Sequence, residues 1–408
     1  MTGALSRYKV LTAGVLSLVL ALGVARFAYT PLLPLMQRQA GLGVGAAGWL
    51  ASINYVGYLV GALVASLVGD PALKDRLYRL GLIAAVVTTA MMGVSQDPIV
   101  WAVSRFIAGL GAASCMLFGT GLVLNWLIRH DHRGELGIHF GGVGLGIAVT
   151  AAAVMAMNRL GLDWRAQWWA FTALAVVLTV PALAWMPAPD GSAVTRSGRA
   201  MPDDPPSPLF LAVFLAAYFC AGIGYVVSAT FIVAIVDRLP GVAGSGTLVF
   251  LAIGVGGAPA CVIWDLIARR LSDLGALTLA GALQIVGILL PVLSPSLVLA
   301  LLGALLFGGT VVGMVSLVLT MAGRYYPTHP AKMMGKMTLS YGLAQAIAPA
   351  LTGAAAAWFG DYRAGLYLAA VAMAVGTALL AGLWAVDIRS RRLRPAMAAD
   401  GEATTGSV

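Results

Sequence analysis

Two arginines, Arg26 and Arg105, stand inside long apolar runs of the chain. All 16 Asp and Glu residues lie in loops or at the ends of such runs, so neither arginine has an acidic neighbour at its own depth. A charged residue at the centre of a bilayer-spanning helix costs about 2.5–3.5 kcal/mol on insertion scales, and it usually faces a cavity and has a partner. Arg26 precedes Met36 by ten residues, about 15 Å at the helical rise, and Arg105 follows Pro98 by seven, about 10 Å. The two side chains therefore reach similar heights. Together they form a positive locus that favours an anion, and a carboxylate is the expected one. The competing reading is that each arginine donates to backbone carbonyls of neighbouring helices, and for Arg105 both readings stand.

Other polar residues share these runs. Tyr29 follows Arg26 by three, on the same face of an α-helix, and Pro31 and Pro34 should bend the helix beyond it. Asn54 and Tyr58 share a face with Tyr55 beside it, which suits either a cavity wall or a membrane interface. Gln345 lies about 15 Å into its run if that run begins near Gly335. It could donate to or accept from a substrate, or bond another helix. Thr230 is a weaker binding candidate, with Ser228, because hydroxyls can satisfy themselves on their own helix. His139 is the only histidine within a run, and its face continues through Gly146 and Thr150. Imidazole titrates near neutrality, so His139 could carry protons. The alternative is a solvated histidine at the interface.

The elements that must position these groups follow from composition. Of 408 residues 60% are hydrophobic and 10% charged, against about 25% charged in a soluble protein. With a mean hydropathy of +0.91 the chain cannot fold as a soluble domain, remain disordered or serve as a nucleic-acid binder. Twelve runs are long enough for the roughly 20 residues that a bilayer core requires, near 9–36, 44–68, 79–96, 98–127, 135–157, 164–186, 208–236, 245–268, 275–293, 296–322, 335–358 and 363–386. They are too long and continuous for β-barrel strands. The first run continues well past the small residues Ala21 and Ala25, so it reads as a retained helix rather than a signal peptide. With the N-terminus inside, 18 of the 25 Lys and Arg residues fall in inner loops, 5 in outer loops and 2 within spans; the asymmetry places both termini in the cytoplasm.

Several patterns carry no chemistry. Cys115, Cys220 and Cys261 have no metal-ligand spacing, and no cofactor is expected. Gly43 to Gly48 matches a dinucleotide-binding pattern but follows no strand, and no P-loop is present. Glycine pairs four apart, such as Gly57/Gly61 and Gly142/Gly146, suit close helix packing.

The polar stretch 187–207 divides six spans from six and reads as a flexible linker. Asp75-Arg76 with Arg79 follows span 2, and Asp265 with Arg269 and Arg270 follows span 8. Gly23-Val-Ala-Arg in span 1 matches Gly222-Ile-Gly-Tyr in span 7 by position. These features, with Arg105-Phe-Ile-Ala-Gly-Leu-Gly-Ala-Ala, resemble the signatures of the major facilitator superfamily; Gly69 lies further upstream than the family's loop signature places its glycine. The segments Arg26-Phe-Ala-Tyr-Thr-Pro-Leu-Leu-Pro-Leu-Met, Phe307-Gly-Gly-Thr-Val-Val-Gly-Met-Val-Ser and Gly342-Leu-Ala-Gln-Ala-Ile-Ala-Pro resemble its YbfB/YjiJ branch.

The resemblance implies an all-α integral membrane protein with twelve transmembrane helices in two pseudo-symmetric six-helix bundles. Its divisions are 1–186 and 208–388 for the bundles, 187–207 for a cytoplasmic linker and 389–408 for a basic tail on anionic lipid. It implies a secondary transporter of a small solute, without enzymatic activity, in a bacterial inner membrane, working as a monomer by rocking of its halves. Protons are a candidate coupling partner. Asp75, Arg76, Arg79, Asp265, Arg269 and Arg270 would latch the inner ends together. The rival within the fold is a proton-coupled multidrug or metabolite efflux pump, for which an acidic or aromatic cavity is expected. A membrane enzyme or sensor would need clustered His, Asp or Glu, or a soluble domain.

Overall fold

The computed structural model describes residues 6–133, 136–191, 197–198, 202–238, 244–293, 296–359 and 363–405. They form twelve long helices and, among the described residues, no strand. In chain order these are α1 (Arg7–Ala40), α2 (Val44–Leu67), α3 (Pro71–Val94), α4 (Pro98–Arg129), α5 (Gly137–Arg159) and α6 (Trp164–Ala184), then α7 (Pro208–Arg238), α8 (Gly246–Leu271), α9 (Asp273–Leu293), α10 (Leu297–Tyr325), α11 (Pro330–Phe359) and α12 (Arg363–Thr405). Eleven are long and apolar enough among the described residues to cross a membrane, and α11 is the twelfth helix of the assembly. Large apolar side chains such as Val177, Val180 and Val371 point outward and are exposed, as expected of a surface solvated by lipid.

Acid–proline pairs set two helix starts. Asp70 precedes Pro71 and accepts from the Ala72 and Leu73 amides at 3.2 and 3.0 Å, and Asp97 precedes Pro98 and accepts from Ile99 at 2.8 Å. Such caps satisfy first-turn amides, and proline at the first helical position needs no donor. This moves the start of α3 eight residues upstream of the sequence expectation. Asp75, Arg76 and Arg79 therefore lie in the helix itself, with Arg79 Nε donating to Asp75 at 2.8 Å. At the other end of the chain, α12 continues to Thr405, beyond the expected end of the last span near 386.

Within α1 the backbone changes form. An α-helical start, Arg7–Leu18, gives way to a π-helical segment, Val19–Phe27. The Ala28 amide there donates to Gly23 at 2.9 Å, five residues back. An α-helix resumes at Tyr29. Pro31 lacks an amide proton and cannot bond the Phe27 carbonyl, which accounts for the break falling at Ala28 rather than at the prolines themselves.

The first six helices meet the last six along two seams, α5 with α8 and α2 with α11. Glycines permit the contact. A Cβ on Gly144 would collide with the Ala258 amide, one on Gly254 with Ala148, and one on Gly335 would stand 2.7 Å from the Ser66 nitrogen. On its opposite side α5 packs on α1, where a Cβ on Gly23 would stand 2.6 Å from the Gly146 Cα.

One end of the molecule, here called the linker face, is closed by polar contacts between the halves. The Gly137 amide, at the start of α5, donates to Asp265 Oδ2 of α8 at 2.7 Å. Leu136, which precedes that helix, has no side-chain acceptor, so the aspartate from the other half supplies the cap. Asn125 Nδ2 donates to the Pro327 carbonyl at 3.2 Å. The linker is not loose at its described ends: Asp190 pairs with Arg129 at 3.2 Å, Thr328 donates to Asp203 at 2.9 Å, and the Asp204 amide donates to the Tyr325 carbonyl at 2.9 Å.

A helix cap of this kind contributes about 1 kcal/mol, and a carboxylate at a helix N-terminus up to about 2 kcal/mol more in partly buried geometry. Asp265→Ala should therefore open the linker face. In a variant free of native cysteines and carrying Ser66→Cys at the α2–α11 seam, labelling by an impermeant maleimide from that face should rise roughly fivefold or more. Unchanged labelling would mean that the cap does not hold the halves together.

Candidate functional site

A cavity of about 120 Å³ lies at the junction of the two halves. The first half contributes Arg26, Phe27, Tyr55 and Tyr58 to its wall, and the second contributes Tyr218, Tyr225, Phe307, Thr338, Tyr341 and Gln345.

Arg26 is 6% exposed. Its guanidinium carbon lies 4.3 Å from the centroid of the Tyr58 ring, 5.0 Å from Tyr55 and 5.3 Å from Phe27. Cation–π attraction of this kind contributes about 0.5–2 kcal/mol, which offsets part of the cost of burying the charge. It does not neutralise the charge. Among the described residues no carboxylate pairs with Arg26. Rings gather around a planar group whose N–H donors lie in its own plane, a geometry suited to a bidentate anion.

Arg105 occupies a different environment. Its Nη1 donates to the carbonyls of Ala25 and Arg26 at 3.2 and 3.1 Å, and its guanidinium lies 4.6 Å from the Tyr29 ring centroid. Asn54 Nδ2 in turn donates to the Arg105 carbonyl at 2.7 Å. Arg105, Tyr29 and Asn54 are therefore not on the cavity wall. They form a bracket behind it that grips α1 at the end of its π segment and fixes the backbone from which Arg26 projects. The expected pairing of Arg26 with Tyr29 on one face fails for a physical reason: the i, i+3 rule belongs to α geometry, and a π segment and a break intervene. The two arginines also do not form one open positive locus, since the guanidinium of Arg105 is engaged by peptide oxygens.

Tyr55, Tyr58 and Gln345 do line the cavity. The Thr230 side chain lies outside the described residues, and Ser228 is buried away from the cavity wall. His139 is fully buried rather than solvated. Its Nε2 is 2.8 Å from Thr120 Oγ1, and Gly14 leaves the room its ring occupies. It too is absent from the cavity wall. Its enclosure by Gly14 and Thr120 makes it part of the packing between α1, α4 and α5. Asp75 bonds Arg79, Asp265 caps α5, and Arg76, Arg269 and Arg270 are exposed.

Sequence reasoning overlooked Tyr218, Tyr225, Phe307, Thr338 and Tyr341. A signal was present. Tyr218 and Tyr225 are seven apart, two turns along one helical face, and Tyr341 and Gln345 are four apart. Tyr225 also holds the position in the Gly222 repeat that Arg26 holds in the Gly23 repeat.

A second depression, at the end opposite the linker face, is lined by Pro31, Pro34, Arg38, Asn158, Thr247 and others, and it shares Thr30 and Phe250 with the central cavity. The central cavity thus approaches the opposite face at these two residues, while the linker face is closed.

Comparison with known proteins agrees with this architecture. The family model described as "Uncharacterised MFS-type transporter YbfB" matches residues 18–381. The curated "Uncharacterized MFS-type transporter YceJ" of Bacillus subtilis (strain 168) is 30% identical over 97 residues, 24% of this chain and 25% of that protein, so the match spans about a quarter of the relative's length. Among solved structures, the human organic anion transporter MFSD10 (TETRAN) superposes with a TM-score of 0.67 at 19% identity, over 92% of this chain and 99% of the other. The nucleoside transporter NupG superposes with a TM-score of 0.63 at 12% identity, over the same shares. At those identities the likeness is one of fold. The chain belongs to the YbfB-type family of the major facilitator superfamily, and it is an integral membrane transporter rather than an enzyme.

Proposed function

We propose that the transporter carries a small organic anion by alternating access, with Arg26 as its anchor. The observation that carries this reading is a guanidinium on the cavity wall that no described carboxylate neutralises. A positive group held in a low-dielectric cavity rejects cations and rewards an anion that completes its hydrogen bonds. The cavity is aromatic, as a multidrug pump also expects; its positive charge is what favours an anion over lipophilic cations.

Alternating access is supported by the asymmetry of the two ends: the linker face is closed by Asp265 and Asn125, and the cavity meets a depression at the opposite face across Thr30 and Phe250. Rocking of the halves about the α5–α8 and α2–α11 seams would reverse this. The excess of Lys and Arg supports a cytoplasmic linker face and cytoplasmic termini, and the family resemblance supports a bacterial inner membrane. One chain contains both halves, so a monomer suffices. The name of one solved relative, an organic anion transporter, is consistent with this reading.

The test is flux in proteoliposomes, with organic anions and organic cations supplied separately. Anions should be carried and cations refused. Arg26→Ala should reduce anion flux by at least about thirtyfold, since removing one partner of a buried charged pair costs about 2–5 kcal/mol. Arg26→Lys, which keeps the charge and loses the fork, should fall between. Undiminished flux in Arg26→Ala at wild-type expression would refute the proposal.

A further inference from the structure

The two sides of the cavity differ in chemistry. The charged side belongs to the first half of the chain. The facing side, from α7, α10 and α11, carries a row of rings. Tyr218 and Tyr341 stack at 4.6 Å between centroids with planes 25° apart, Tyr341 and Tyr225 at 5.7 Å and 24°, and Tyr225 and Phe307 at 6.4 Å and 1°. Near-parallel rings at these separations are offset-stacked on one another, and a flat aromatic group gains by extending such a stack. An alkyl chain gains only its buried area there.

The same wall holds two polar groups with nothing to bond. The Tyr341 hydroxyl and Gln345 Oε1 are buried and have no hydrogen-bond partner among the described residues. Their residues are 7% and 4% exposed, and both line the cavity. Unsatisfied buried polar atoms are uncommon in folded proteins, and each calls for an explanation. Neither helix capping nor interhelical bonding supplies one here. A bound molecule with its own donor would.

We infer that the substrate is an aromatic carboxylate bearing a hydrogen-bond donor away from its carboxyl group: the carboxylate meets Arg26, the ring extends the Tyr218–Tyr341–Tyr225–Phe307 stack, and the donor meets Gln345 and Tyr341. This rests on the anion reading above and narrows it to one chemical class.

Calorimetric titration of the purified full-length protein tests it with five probes of similar size: 3- and 4-hydroxybenzoate, benzoate, cyclohexanecarboxylate and benzylamine. Benzoate should bind about tenfold more tightly than cyclohexanecarboxylate, the equivalent of one aromatic contact. The better of the two hydroxybenzoates should gain roughly another three- to tenfold, the equivalent of one hydrogen bond. In Gln345→Leu the ratio of hydroxybenzoate to benzoate affinity, measured on the same variant protein, should fall to about one, a selective loss that a merely misfolded variant would not give. Equal binding of the ring and non-ring acids would overturn the aromatic inference and leave the anion proposal standing. A hydroxyl advantage that persists in Gln345→Leu would overturn the role of that residue. Binding of benzylamine in place of every carboxylate would overturn the anion proposal itself.

Discussion

A buried guanidinium with no counterion among the described residues is the constraint around which this protein is arranged. Arg26 is costly where it stands, and its neighbours reduce that cost without cancelling the charge. Tyr58, Tyr55 and Phe27 give it ring contacts. Arg105 holds the carbonyls of Ala25 and Arg26, and Asn54 holds Arg105. The bracket works because α1 is π-helical through the arginine and interrupted just after it. π segments recur at functional sites, and here the segment turns Arg26 toward the cavity while Tyr29 is turned to Arg105. Close approach of α5, through Gly23 and Gly146, backs the same segment. Charge, backbone irregularity and small-residue packing thus act on one stretch of nine residues, Val19–Phe27.

The two halves bring different tools to a shared seam. At matched positions of the repeat, one half offers Arg26 and the other Tyr225. A duplicated scaffold has become a cavity with a charged side and an aromatic side, which can orient an asymmetric molecule. The closed linker face is held by a few polar contacts, among them one carboxylate on one helix start. Contacts of that size suit a switch: each contributes on the order of 1 kcal/mol, small enough for substrate binding to outweigh.

Much of this was legible in the sequence, because membrane helices announce themselves. Lipid demands long apolar runs, so the twelve helices follow from composition, while the two-bundle family follows from the resemblance of a few signature motifs. The depth of Arg26 and the absence of acid near it followed from counting. What the sequence hid was local geometry. Helical-wheel reasoning put Tyr29 beside Arg26, and the π segment undid that. Hydropathy alone starts α3 near 79, because the turns that follow the Asp70–Pro71 cap carry Lys74, Asp75 and Arg76. His139 looked like an interface residue from its place near a helix start, yet Gly14 and Thr120 enclose it. The aromatic wall was overlooked because Tyr218, Tyr225, Phe307 and Tyr341 belong to three different helices. Only the fold brings them together.

The central claim is that Arg26 is kept for a ligand at the expense of stability. It can be tested by thermal unfolding of purified protein, comparing wild type with Arg26→Leu, each with and without millimolar benzoate. Replacing an uncompensated buried charge with an apolar side chain is often neutral or stabilising. The account therefore predicts that Arg26→Leu melts at the same temperature as the wild type or higher without ligand, and that benzoate raises the midpoint of the wild type only. A variant that melts several degrees lower, or that benzoate stabilises as fully as the wild type, would contradict it.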